Sequence, residues 1–260
     1  MSLFDHRRGS WLDVESDGAR LYYEVGGDPR GPALVLLHGG FGSLGDFKVL
    51  LPHLDAQYRL IAIDSRGHGR STLGAATLSY EQLSRDLERV LDHLHVDTLS
   101  IIGFSDGGIT AYRFAATTRR KLLKLVTIGA DWVLRPDDPV IALLSKATPQ
   151  TWREQSPAAL AAYESHNPEP QHYDRYVEAT LAMWLSHGAE NYPGERVRDI
   201  RCPTLIVRGD EDHLFPAAKA LELRERIEHS ALFNIPYASH TAFADQPVLF
   251  KAGLQLFLER

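Results

Sequence analysis

From residue 20 to 130, short apolar runs alternate with amphipathic stretches. That rhythm belongs to strands and helices winding a mostly parallel sheet with helices on both faces. The candidate strands are Leu21 to Val25, which precedes a Gly-Gly-Asp-Pro turn, then Ala33 to Leu37, Arg59 to Ile63, Leu99 to Phe104 and Leu123 to Ile128. Their continuous apolar runs fit strands buried on both faces. Tyr80 to Leu94 sets Leu83, Leu87, Val90, Leu91 and Leu94 at spacings of three and four, one apolar helix face. The rhythm stops after Ala130 and resumes with a strand at Thr204 to Val207, a helix, a strand at Leu232 to Ile235 and a last helix ending near Leu258. The interruption, residues 131–196, is predicted to be a helical cap inserted between two core segments, 1–130 and 197–260. It holds Trp132, Trp152 and Trp184, many prolines, and helical patterns near 139–146, 157–165 and 170–187. No repeat at a 20–50-residue period interrupts this plan.

Length agrees with it, since an α/β chain of 260 residues can keep one core and carry an insertion. Charge removes one class of partner. With 28 Lys and Arg against 34 Asp and Glu, the net charge of −6 leaves no bulk basic surface for a nucleic acid backbone. No stretch of 18 apolar residues occurs, and the basic pair Arg7-Arg8 is followed by no apolar core, so neither a membrane span nor a secretion signal is expected. Cys202, the single cysteine, can form neither an internal disulfide nor a thiolate cluster and reads as an inert packing residue. A cytoplasmic location is the expectation.

The chemistry concentrates where the strand Leu99 to Phe104 runs into Gly103-Phe104-Ser105-Asp106-Gly107-Gly108, with a helix expected from Ile109 to Ala116. This is G-x-S-x-G between strand and helix, a sharp turn that exposes the serine hydroxyl, with glycines where side chains would collide. The pattern alone is weak, with roughly 0.1 chance matches at this glycine and serine content. A serine hydroxyl is a poor nucleophile at neutral pH and needs a base plus a carboxylate to orient that base. Two later strand ends offer both. Thr204 to Val207 leads into Arg208-Gly209-Asp210-Glu211-Asp212-His213, and Leu232 to Ile235 leads into Pro236-Tyr237-Ala238-Ser239-His240. Carboxyl ends of strands are where open α/β sheets build sites. Ser105, an acid at Asp212 or Asp210, and His240 are therefore the catalytic candidates, whereas His213 reads as a solvated or capping residue. Neither His166 with His172 nor the 210–213 cluster has regular metal-ligand spacing, and no metal is expected.

Four motifs together resemble the α/β-hydrolase fold family over nearly the whole chain. They are His38-Gly39-Gly40-Phe41-Gly42 after the strand Ala33 to Leu37, the loop Asp64-Ser65-Arg66-Gly67-His68-Gly69-Arg70-Ser71, the serine turn, and the Gly-x-x-Asp…His tail. The resemblance implies a Ser105–Asp212–His240 triad, with Asp212 preferred because it lies three residues after the glycine. It also implies an oxyanion hole from the backbone N–H groups of Gly40 and Asp106, with Phe41 as the alternative second donor. The activity implied is hydrolysis of a carboxylic ester through an acyl-enzyme, with a small-molecule substrate and no cofactor. A cofactor-free perhydrolase of haloperoxidase type, a lactonase, a carbon–carbon bond hydrolase and a receptor-like binding protein share the scaffold and remain alternatives.

Within the family, Gly-Phe-Ser-Asp-Gly-Gly-Ile-Thr-Ala is similar to the elbow of the biphenyl-hydrolase-like, or valacyclovir hydrolase, esterases. That likeness implies that Asp106 pairs with an α-amino group on the acyl half of the substrate. The competing explanation of Asp106 is an acid in the first turn of a helix, favoured by the helix dipole. Trp132 and Trp184 of the cap are expected to contact substrate.

Overall fold

The computed structural model describes residues 3–54 and 56–260. In chain order the elements are β1 (Ser10–Val14), β2 (Ala19–Gly27), β3 (Ala33–Leu37), α1 (Leu51–Leu54), β4 (Arg59–Ile63), α2 (Tyr80–His93), β5 (Thr98–Phe104), α3 (Asp106–Thr117) and β6 (Lys121–Ile128). After β6 come four helices, α4 (Pro139–Leu144), α5 (Pro149–Gln155), α6 (Pro157–His166) and α7 (Tyr173–Leu185). The chain then returns through β7 (Thr204–Gly209), α8 (Ala217–Arg226), β8 (Ser230–Ile235), α9 (Ala242–Asp245) and α10 (Pro247–Glu259).

Eight strands form one sheet in the order β1-β2-β4-β3-β5-β6-β7-β8. β2 runs antiparallel to β1 and β4, and every pair from β4 across to β8 is parallel. The fold is thus α/β with a mostly parallel sheet, as the apolar rhythm predicts. All five residues of β3 are buried, and they alternate between two cores: Val35 and Leu37 belong to the one that α2, α3 and α8 cover, Leu34 and Leu36 to the one that α9 and α10 cover. β1 was not expected. Its run Ser-Trp-Leu-Asp-Val buries only Val14, because it is an edge strand paired on one side.

The order places the site. From β3 the chain steps to β4 on one side, and from β4 it crosses back to β5 on the other, so β3 and β5 are neighbours whose following loops diverge. A crevice opens at such a reversal beyond the carboxyl ends of the strands. Leu37 pairs with Gly103, so the His38-Gly39-Gly40 loop and the Ser105 turn leave the sheet side by side.

The Asp64–Ser71 loop supports this edge from behind. Arg66, with a fully buried side chain, makes two 2.8 Å bonds to the carboxylate of Asp86 on α2 and one of 3.0 Å to Asp17. Asp64, also buried, accepts from the Leu44 and Arg70 backbone N–H groups at 2.8 Å and lies 3.0 Å from His6 Nε2. Breaking a buried pair from one side strands a charge, so Arg66→Met is expected to lower stability by about 3–5 kcal/mol. Urea unfolding checks this, and a loss below about 1 kcal/mol would show that water already reaches the pair.

Candidate active site

Ser105 sits between the end of β5 and the start of α3 with φ 49° and ψ −117°. A non-glycine residue held there is strained, and the strain is locked by its surroundings. Its N–H donates to Ile128 O at 2.8 Å. A Cβ on Gly107 would lie 2.0 Å from Leu37 O, and one on Gly103 would lie 2.5 Å from Gly107 O. The glycines of the pentapeptide therefore let helix and strand approach, as the motif requires.

The structure brings the three catalytic candidates together. His240 Nε2 is 3.0 Å from Ser105 Oγ, and His240 Nδ1 is 3.0 and 3.1 Å from the two oxygens of Asp212. A carboxylate can only accept, so Nδ1 carries the ring proton and Nε2 is left to accept from the serine. Asp212, its side chain fully buried, is fixed by the N–H groups of Leu214 at 2.9 Å and Phe215 at 3.1 Å. Asp210 is turned elsewhere: its side chain is exposed and accepts from Asn234 Nδ2 at 3.0 Å. His213 is exposed. Gly129, invisible to motif reading, is essential here. It has φ 58°, and a Cβ on it would lie 2.9 Å from the His240 ring and 3.1 Å from Asp212 Oδ2.

Ser105 opens into a cavity of about 790 Å³ lined by core residues and by α4, α5 and α7. Gly40, Asp106 and Trp184 line it. Asp106 starts α3, so its N–H has no intrahelical acceptor. The Phe41 ring stacks on Trp152 at 4.5 Å and meets the Tyr176 ring edge-on at 5.1 Å. His38 accepts from Ser65 N–H at Nε2 and donates from Nδ1 to Gly39 O, holding the loop to its neighbour. His68 is buried, which lowers its pKa to about 3, and serves the turn as a neutral ring.

Asp106 is the buried carboxylate beside the nucleophile. Oδ1 accepts the Tyr80 hydroxyl at 2.7 Å, and Trp184 Nε1 lies 2.9 Å from both oxygens. Burial pushes this carboxyl above its ordinary value, opposed by those two donors. A second lining acid, Asp131, is pushed up to about 6 by burial against the pull of Lys219, whose Nζ bonds both Asp131 and Asp138.

Trp132 does not reach the cavity, contrary to expectation. Its indole is 2% exposed, donates to Lys219 O at 3.2 Å, and lies under Arg226 at 4.3 Å. The segment after β6 turns it against α8 instead. Tyr80, Tyr192 and Lys146, which no motif singles out, do line the cavity. Among the described residues no group of three or more His, Cys, Asp or Glu could hold a metal ion, and no helix is long and apolar enough to cross a membrane.

A putative carbamate hydrolase of Azorhizobium caulinodans is 28% identical over 91% of this chain and 94% of its own length. The mouse serine hydrolase BPHL is 29% identical over 90% of this chain and 82% of its own. Among solved structures, a bromoperoxidase from Bacillus anthracis superposes with a TM-score of 0.80 at 22% identity, covering 97% of this chain and all of that one. The sequence profile of the alpha/beta hydrolase fold matches residues 32–165, more than half of the chain, and the protein belongs to that family.

Proposed function

We propose that the protein is a serine hydrolase cleaving a carboxylic ester through an acyl-enzyme, with a preference for esters of α-amino acids. The His240 imidazole set between Ser105 Oγ and the Asp212 carboxylate, 3.0 Å from each, carries the proposal. Ser105 Oγ attacks the ester carbonyl carbon while His240 Nε2 takes the hydroxyl proton, and Asp212 holds the ring and offsets the imidazolium charge. The backbone N–H groups of Gly40 and Asp106 donate to the oxyanion; Gly40 is preferred over Phe41 because it lines the cavity beside Ser105 and Phe41 does not. Collapse breaks the bond to the alcohol, which leaves with the proton from His240. Water then attacks the acyl-enzyme by the same steps and releases the acid.

Cavities of this volume hold drug-sized molecules, which favours an ester with sizeable halves over a carbamate ion. The α-amino preference is supported by Asp106: its hydrogen-bond partners Tyr80 and Trp184 are neutral donors, so an ammonium on the acyl group supplies the opposite charge. Labelling with a fluorophosphonate, located on Ser105 by mass spectrometry, tests the nucleophile. A panel of plain esters, α-amino-acid esters, lactones and carbamates tests the substrate class.

Asp106→Asn keeps an acceptor for Tyr80 while removing the charge. A wild-type advantage of about tenfold in kcat/KM for an aminoacyl ester over its deaminated analogue should vanish in the variant, with the plain ester spared. In the wild type that advantage should also fall with falling pH, as the carboxyl gains its proton within a range raised above ordinary carboxylates. Equal kcat/KM for the two esters in the wild type would leave Asp106 as a helix-start acid.

A further inference from the structure

The charges lining the cavity are unevenly distributed. Asp106 lies beside the nucleophile, Asp131 is tied to Lys219, and His240 bridges Ser105 and Asp212. The wall made by α4, α5 and the turn between them contributes Val140, Leu143, Leu144, Lys146 and Trp152, and no carboxylate. Lys146 is the only lysine or arginine in the lining; it is exposed and enters no ion pair among the described residues. Leu143 and Leu214, 67% and 44% exposed, also line the cavity, so they stand at its mouth. The lining thus holds a buried carboxylate beside the nucleophile, apolar side chains on the α4–α5 wall, and an exposed ammonium with no ion-pair partner among the described residues.

An anion on the acyl half would be repelled by Asp106, so the half that Lys146 suits is the other one. We propose that the leaving-group end of the cavity reads negative charge. The substrate class is an ester whose alcohol is apolar next to the ester oxygen and carries an anionic group at its far end, paired with Lys146 Nζ. The inference rests on the ester-hydrolase function proposed above, and it divides the specificity between two charged groups, Asp106 for the acid and Lys146 for the alcohol. An exposed ion pair of this kind is modest in strength and weakens with salt.

Binding to the full-length Ser105→Ala protein tests this without turnover. The probes are the butanoate esters of 6-hydroxyhexanoate and of 6-hydroxyhexanamide, matched in shape and lacking any amino group, titrated calorimetrically at low ionic strength. The carboxylate ester is expected to bind about three- to fivefold more tightly. Lys146→Met should erase that advantage and Lys146→Glu should reverse it, with the amide ester bound equally in all three proteins. Equal affinity for the two esters, an advantage that survives Lys146→Met, or no measurable binding of either ester overturns the inference. A retained charge preference in a protein whose Ser105 resists the fluorophosphonate would fault the hydrolase function and leave the charge reading standing.

Discussion

Ser105→Ala and His240→Ala are each expected to lower kcat for ester hydrolysis by on the order of 10⁴–10⁶, and the double variant by no more than either alone. The non-additivity follows from the geometry: with one imidazole bridging both partners, removing either end leaves the other without a function. The fold should survive in both. Alanine keeps the Cβ that Ser105 already carries at φ 49°, so backbone strain is unchanged. Losing His240 removes a ring that packs 5.1 Å from Phe104, while the Asp212 carboxylate keeps its bonds from Leu214 and Phe215. Circular dichroism and urea midpoints would verify that the loss is chemical. Residual activity above a tenth of wild type in either folded variant would remove Ser105 and His240 from the chemistry.

Most of what places these groups could be read from the chain, because each sits where an apolar run ends. β3, β5 and β7 are short and almost wholly buried, the outermost strand β8 buries its two end residues, Gly or Pro marks their boundaries, and each hands its next residues to one edge of one sheet. The helices after β6 were harder. α5 buries no residue, so its apolar pattern carries little signal, although Thr148 and Pro149 form a recognisable helix start. The tryptophans show the limit most clearly. Trp132 and Trp184 are alike as sequence, yet one is packed under Arg226 and the other bonds Asp106, because only the path of the chain after β6 decides which side each faces. The partners of Asp106 were equally hidden. Tyr80 and Trp184 lie 26 and 78 residues away, on α2 and α7, and no local pattern links them. The opening segment carries no apolar run after Arg7-Arg8, yet Phe4 is buried with its N–H on Glu24 and His6 meets Asp64.

The acid offers the sharper test, since two aspartates compete within three residues. Asp212→Asn is expected to lower kcat by on the order of 10⁴, and Asp210→Asn by no more than about twofold. The size of the first effect comes from how the carboxylate is held. Oδ1 accepts from the Leu214 and Phe215 N–H groups, so an asparagine will place its own oxygen there and its NH₂ in the position of Oδ2, 3.0 Å from His240 Nδ1. An amide N–H facing Nδ1 makes that nitrogen the acceptor and moves the ring proton to Nε2, toward Ser105. The base then has no lone pair for the serine proton, although every atom keeps its place. Asp210 has no such coupling, because its exposed carboxylate bonds Asn234 on the neighbouring strand and the amide can replace that bond. A crystal structure of Asp212→Asn should therefore superpose on the parent site while the activity is lost. A large loss in Asp210→Asn with Asp212→Asn nearly active would transfer the acid to Asp210 and require the loop after β7 to rearrange when substrate binds.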